Sequence, residues 1–396
     1  MRRFTAKILP VLFMGAAALA GAGCTGSETG GAAPAAGASA PAAAKEAPKV
    51  DPLLLGPLAA RKAQEPAKVE MGRRLFYDAR VSGDGAISCA TCHDPAKGFG
   101  DGMPLSKAYP GTDHFRNAPT LVNAVYKSDF KNVGWSWDGR MGADMNDVIR
   151  DMITETTMMN LDMRVLHERM KQDPEYVRLC KEAFKDEKDC TSPYARNALI
   201  AYLETLVSKD APFDAGKMSS AAQSGRAVFE GKGKCSSCHN GAYFSDGAPH
   251  NTGVPENMEV FKNPVRHLTY QSLIDNHGVP KPHVWRRDVG YYTVSKNVAD
   301  VGKFITPTLR ELKYTAPYMH NGMLATLADV VEFYNQGGGH DDPLATELKP
   351  LGLSGGEKSD LIAFLEALSS AMPVTDTPVV VSQKYQPIKD WLNVKN

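Results

Sequence analysis

Apolar residues along this chain return at helical rather than alternating spacing. In 195–207 (ARNALIAYLETLV) and in 359–369 (SDLIAFLEALS) they recur every three or four positions, which predicts a helix in each. Strand-like alternation is sparse, so the pattern predicts a mainly α fold. A stronger signal is that the pattern occurs twice. MGRRLFYDARVSGDGAISCATCHDPAKGFGDG in the first half is echoed by SGRAVFEGKGKCSSCHNGAYFSDG in the second. Each copy has Gly-Arg and an apolar-Phe pair on a short predicted helix, a Gly-containing turn, a Cys-x-x-Cys-His, an aromatic residue and Asp-Gly. Downstream, Pro119-Thr120-Leu121 is matched by Pro307-Thr308-Leu309, and Asp147-Val148 by Asp329-Val330. Two copies are too few for a solenoid and indicate an internal duplication. The expected units are 51–212 and 213–370, each closed by one of the two helices above.

The ends lie outside these units. Arg2, Arg3 and Lys7 followed by the apolar run Ile8–Leu19 and small residues predict a secretory signal over 1–24, too short for a membrane span. Cys24 sits where a lipoprotein signal would place its lipid-bearing cysteine; ordinary cleavage is the alternative. Residues 25–50, rich in Ala, Gly and Pro, predict a flexible linker. The tail 371–396, Pro- and Val-rich without helical period, is expected to wrap over the surface.

Composition then narrows the function. Lys plus Arg and Asp plus Glu number 45 each, a balance that argues against a nucleic-acid partner. Of seven cysteines, four belong to the repeated motif and one is Cys24. In an exported chain the remaining Cys180 and Cys190 are expected to form a disulfide.

In Cys-x-x-Cys-His each residue has a separate role. The thiols add across the vinyl groups of a haem, and the histidine becomes an axial ligand of its iron. Cys89, Cys92 and His93 are therefore candidates to hold one haem c, and Cys235, Cys238 and His239 a second. This makes the fold two tandem cytochrome c-type domains.

CHDPAKGFGDG, RNAPTLVNA, WSWDGR, GKGKCSSCH and TPTLRELKYTAPYMHNG together resemble the bacterial di-haem cytochrome c peroxidases, and more closely their MauG-like branch. The resemblance spans about 65–370. It implies a peroxide-reacting first haem, an electron-transferring second haem and a calcium ion between them. By the same resemblance Asn117, Thr315 and Pro317 would be calcium ligands, Trp137 would relay electrons between the haems, and Tyr334 would be the sixth ligand of the second iron. Met319 and Met323 compete with Tyr334 for that place. The family's distal glutamate has no counterpart in WDGRMGADMNDVIRDMITETTMMN; Glu155 is the nearest carboxylate able to serve as general acid-base. Aligning the repeats puts Met152 opposite Tyr334, where it either caps the first iron or packs on the porphyrin edge. His114 is a further candidate cap, out of step with the family pattern.

The resemblance implies a periplasmic oxidoreductase that takes hydrogen peroxide, with a small redox protein or membrane donor as partner, with or without a lipid anchor, and open to homodimer formation. The alternative function is an electron carrier with both irons six-coordinate. A scaffold that keeps its haems for folding is a third, weaker reading.

Overall fold

The structure, a computed structural model, describes residues 55–371 apart from 131–132, 186–189, 209 and 342. The expected signal, linker, Cys24 anchor and tail beyond residue 371 lie outside the described residues.

In chain order the helices are α1 (Pro66–Tyr77), α2 (Cys89–Cys92), α3 (Met145–Thr154), α4 (Met163–Lys171), α5 (Pro174–Phe184), α6 (Ser192–Leu203), α7 (Ser220–Glu230), α8 (Glu259–Lys262), α9 (Pro264–Asn276), α10 (Tyr292–Ser295), α11 (Leu327–Asn335) and α12 (Gly355–Glu366). Two short strands, β1 (Pro249–His250) and β2 (Phe304–Ile305), pair antiparallel, with Pro249 opposite Ile305. The fold is thus mainly helical, as the spacing predicts. Among the described residues no helix is long and apolar enough to cross a membrane.

The helices expected over 195–207 and 359–369 are α6 and α12, each begun three or four residues earlier than the apolar pattern suggests. Local chemistry explains the shift. Thr191 and the early Pro193 start α6, and Ser354 with Glu357 forms a capping box at α12.

Helix α1 packs on α6, and α7 packs on α12. Met71, Leu75, Phe76, Leu166, Leu179, Ala198 and Leu199 share one core with the part-buried Cys89. Phe229, Phe244, Leu361, Phe364 and Leu368 share another with the part-buried Cys235. A disulfide joins Cys180 on α5 to Cys190 before α6, as expected.

A third core was not legible in the sequence. Between the second motif and β2 the chain makes an excursion through α8, α9 and α10. It buries Val260, Tyr270, Ile274, Val289 and Tyr292 around Leu105 and Phe115 of the first half. One buried ion network fastens it there. Arg116, 1% exposed, donates through Nε and Nη2 to the two Asp288 oxygens at 2.7 and 2.7 Å. Its Nη1 lies 2.7 Å from Asp138, which also pairs with Arg140 at 3.0 Å. Burial alone would raise the Asp138 carboxyl, but the two guanidiniums hold it well below the usual carboxylate range. Asp288 is held low by Arg116 against the same opposing effect. Glu256, which accepts the Asp288 backbone N–H at 3.1 Å, feels Arg287 only as a charge too weak to offset its burial. Burial and the Asp288 charge push it up to about 7.

Two predictions follow from this packing. A Cβ on Gly72 would lie 1.9 Å from the Ala198 carbonyl oxygen, and one on Gly225 would lie 1.9 Å from that of Asp360. Gly72→Ala and Gly225→Ala should each cost about 1–3 kcal/mol in denaturant unfolding, because a helix backbone must move to admit the methyl. Between its usual value of 4.5 and about 7, Glu256 holds its proton in the folded chain and loses it in the unfolded one. Its contribution therefore falls as pH rises through that window. Glu256→Gln should unfold at higher temperature than the parent above pH 7, with the difference fading toward pH 4.5.

Candidate haem sites

Both Cys-x-x-Cys-His segments are single turns fixed by the same backbone device. Ser88 and Thr91 form a capping box at α2, and the His93 N–H closes the turn on the Cys89 carbonyl at 2.9 Å. In the second copy the His239 N–H bonds the Cys235 carbonyl, also at 2.9 Å. His93 Nδ1 lies 3.0 Å from the Phe99 carbonyl oxygen, and His239 Nδ1 lies 3.0 Å from that of Phe244. A carbonyl only accepts, so Nδ1 carries the proton and Nε2 keeps its lone pair for a metal. Phe99 and Phe244 turn their carbonyls inward from left-handed conformations, φ 58 and 55. Two threonines brace the same loops: Thr120 Oγ1 donates to the Gly98 carbonyl and Thr308 Oγ1 to that of Tyr243, both at 2.6 Å.

Burial lowers both histidines and so favours neutral imidazole. It pushes the Cys89 and Cys235 thiols up to about 12. That is the opposite of a reactive dithiol, whose thiolate must form near neutral pH. In each motif a raised, buried thiol beside a neutral imidazole fits a covalently attached haem.

Tyr334, on α11, lies close enough to Cys235 and Cys238 for their charges to act on its phenol, and it bonds Thr252. Burial, with those thiols, pushes it upward from the ordinary tyrosine value. Met319 is part-buried in the loop before α11, and Met323 is a 39% exposed surface side chain. Met152 lies part-buried on α3. Glu155 caps the end of α3, accepts from Thr156 Oγ1 at 3.2 Å, and lines a cleft of about 260 Å³ with Arg140, Asp151, Asn276 and His277.

Asn117 brings its carboxamide nitrogen 2.7 Å from the Met103 carbonyl and 3.4 Å from that of Pro317. Thr315 follows a turn in the same loop and bonds the Leu312 carbonyl. Trp137 is half-buried, and its Nε1–H donates to the Asn117 carbonyl at 2.9 Å. His114 is buried with Nδ1 accepting from the Arg116 N–H, and burial with Arg140 and Arg116 lowers it to about 3.

His320, Asp246 and Asp288 took no role from the sequence. His320 stands edge-on to Trp137, with centroids 6.5 Å apart, and stacks on Phe304 at 3.7 Å. Asp246 accepts from His250 Nε2 at 2.7 Å, both beside Cys238; since haem attachment would use that thiol, the trio is no separate metal site. Asp288 sits in an Arg-Arg-Asp run with no motif around it. Arg116 was legible only as the residue before Asn117.

A family model described as di-haem cytochrome c peroxidase matches residues 66–222. The chain is 53% identical over 319 residues to cytochrome-c peroxidase IdrP2 of Denitromonas iodatirespirans, which covers 79% of this chain and 84% of that protein. It is 32% identical to the methylamine utilization protein MauG of Methylorubrum extorquens, over 77% of this chain and 79% of that one. Its fold matches a solved MauG-like protein associated with microbial copper homeostasis with a TM-score of 0.65 at 24% identity, covering 80% of this chain and 93% of that one. It also matches the diheme peroxidase BthA of Burkholderia thailandensis with a TM-score of 0.61 at 22% identity, covering 83% and 92%. The chain therefore belongs to the di-haem cytochrome c peroxidase and MauG family of peroxidase-type oxidoreductases.

Proposed function

We propose that this chain is a periplasmic di-haem c oxidoreductase that reduces hydrogen peroxide or uses it to oxidise a partner. One haem would be attached to Cys89, Cys92 and His93, the other to Cys235, Cys238 and His239. The observation that carries the reading is the repeated His Nδ1–Phe carbonyl bond, which leaves an Nε2 lone pair beside two thiols in each half.

Matching braces support a duplicated unit, with domains 51–212 and 213–370. Besides the threonines above, Asn123 and Glu311 both have positive φ, 62 and 65. Both also donate their backbone N–H to the end of their own unit, at Leu206 and Leu368.

Bound haem would supply the iron at which peroxide is split, with the electrons for its reduction coming from a small redox protein or membrane donor. The chain's own residues do the rest. Glu155, in an open cleft at the end of α3, would take and return the peroxide proton. Trp137 would carry electrons between the two sites. Tyr334 would ligate the second iron, supported by its place beside Cys235 and Cys238. Asn117, Thr315 and Pro317 would hold calcium, since an amide oxygen and backbone carbonyls are the hard donors that ion takes, and the Asn117 amide lies 3.4 Å from the Pro317 carbonyl. Lipid anchoring at Cys24 and a homodimer stay within the proposal.

One observation favours the electron-carrier alternative. Asp144 caps α3 and Thr326 caps α11, and Met152 and Tyr334 each follow eight residues later. Met152 thus occupies on α3 the place that Tyr334 holds on α11, from which a thioether would close the first iron.

Optical and EPR spectra of the ferric protein, before and after one equivalent of hydrogen peroxide, separate the two. The enzyme reading expects a high-spin signal that peroxide consumes. Glu155→Gln should then slow peroxide turnover about 100-fold or more. Two low-spin signals that ignore peroxide, with a high-spin signal restored by Met152→Ala, would establish the carrier.

A further inference from the structure

Trp137 is held by a two-rung ladder whose far end lies in another part of the chain. On one rung its indole N–H donates to the Asn117 carbonyl at 2.9 Å. On the next, the following residue, Asp138, pairs with the preceding one, Arg116, at 2.7 Å. The Trp137 carbonyl accepts the Ile305 N–H of β2 at 2.8 Å. Arg116 also stacks its guanidinium over Phe304 and Phe115, 5.5 and 5.0 Å from their centroids. Phe304 in turn supports His320, the ring that stands against the indole.

The pairing with Asp138 and the stacking on Phe304 and Phe115 depend on where Arg116 points, and Asp288 sets that direction with two parallel bonds. A bidentate carboxylate fixes the plane of a guanidinium, which one point contact does not. Asp288 is itself fixed, its Oδ1 accepting from the Gly290 N–H at 3.0 Å and its own N–H bonded to Glu256. Without Asp288, Arg116 would keep only Asp138, a carboxylate already shared with Arg140.

We propose that Asp288, a residue of the α8–α10 excursion, is a positioning residue for Trp137, holding the indole through Arg116 in the orientation that carries electrons between the haem sites. This rests on the proposed relay role of Trp137. The excursion then belongs to the electron-transfer apparatus although it holds no haem ligand. Each electron that leaves the second site arrives at the first, and Trp137 ends as it began.

The test compares Asp288→Asn, Trp137→Phe and Asp78→Asn in the haem-loaded protein. Asp78 is an equally buried carboxylate, bonded to Arg80 and Tyr176 far along the chain, so its variant controls for lost stability. Asp288→Asn should slow electron transfer from the reduced second haem about tenfold or more, through lost orientation. The peroxide KM should stay unchanged. Hydrogen exchange of the Trp137 indole N–H, identified by its absence in Trp137→Phe, should accelerate in the same variant. Asp78→Asn should lose stability and change neither readout. Should Asp288→Asn fail to fold, Arg116→Lys keeps the charge, removes the paired bonds and should give the same two changes. A parental transfer rate and indole exchange in Asp288→Asn, alongside a slow Trp137→Phe, would overturn the proposal while leaving the relay intact. A parental rate in Trp137→Phe would instead remove the relay, and the positioning role with it.

Discussion

The constraint on which the rest of the structure depends is that a fully buried arginine must be neutralised. Taking a guanidinium out of water costs several kcal/mol, returned only where good geometry and further hydrogen bonds satisfy its donors. Arg116 is neutralised by two carboxylates, Asp288 of the excursion, which takes two of its N–H donors, and Asp138 of the Trp-Asp-Gly-Arg loop, 2.7 Å from Nη1. Three segments far apart in sequence are thereby obliged to meet at one point. A hydrophobic contact would bring them together as strongly but would not fix their angles. A bidentate ion pair does, and the indole of Trp137 lies one residue from it.

The two haem motifs reach the same end by a different route. Neither uses a buried charge; each uses a carbonyl turned inward by a residue with positive φ, braced by the threonine of the Pro-Thr-Leu segment. The close helix crossings at Gly72 and Gly225 belong to the same economy of space. With no Cβ at the crossing, helix backbones approach within van der Waals distance, and the loop carrying the histidine is stacked against a rigid pair.

Much of this was legible in the sequence because it is local. Cys-x-x-Cys-His, the doubled Gly-Arg and Pro-Thr-Leu segments and the apolar spacing of α6 and α12 are short-range patterns, and the structure has helices and paired loops where they predict them. The boundaries of α6 and α12 moved because the early Pro193 and the Ser354 capping box outweigh the apolar period. What was not legible is long-range. Asp288 has meaning only through Arg116, 172 residues earlier in the chain. His320 has meaning only through Phe304 and Trp137. The excursion has little helical contrast to read: α9 buries Thr269, Tyr270, Leu273 and Ile274 but leaves Val265 and Leu268 exposed.

Under the proposed reading, the difference between the halves, rather than their likeness, would decide the chemistry. Helices α3 and α11 start from equivalent caps, and the eighth residue on is Met152 in one and Tyr334 in the other. A thioether is a soft, neutral donor that suits a lower oxidation state of iron, whereas a phenolate is hard and anionic and favours the higher ones. Burial, with Cys235 and Cys238, pushes the Tyr334 phenol upward and so further from ionisation. Its ionisation therefore needs a nearby positive charge, and a metal cation is the strongest such charge a protein can place there. Under the proposed reading, the second iron would create the ligand that stabilises its own oxidised form. At the first iron the corresponding choice lies between the sulfur of Met152 and the carboxylate of Glu155, three residues along the same helix end. Under that reading, how α3 terminates would decide between an electron carrier and a peroxidase.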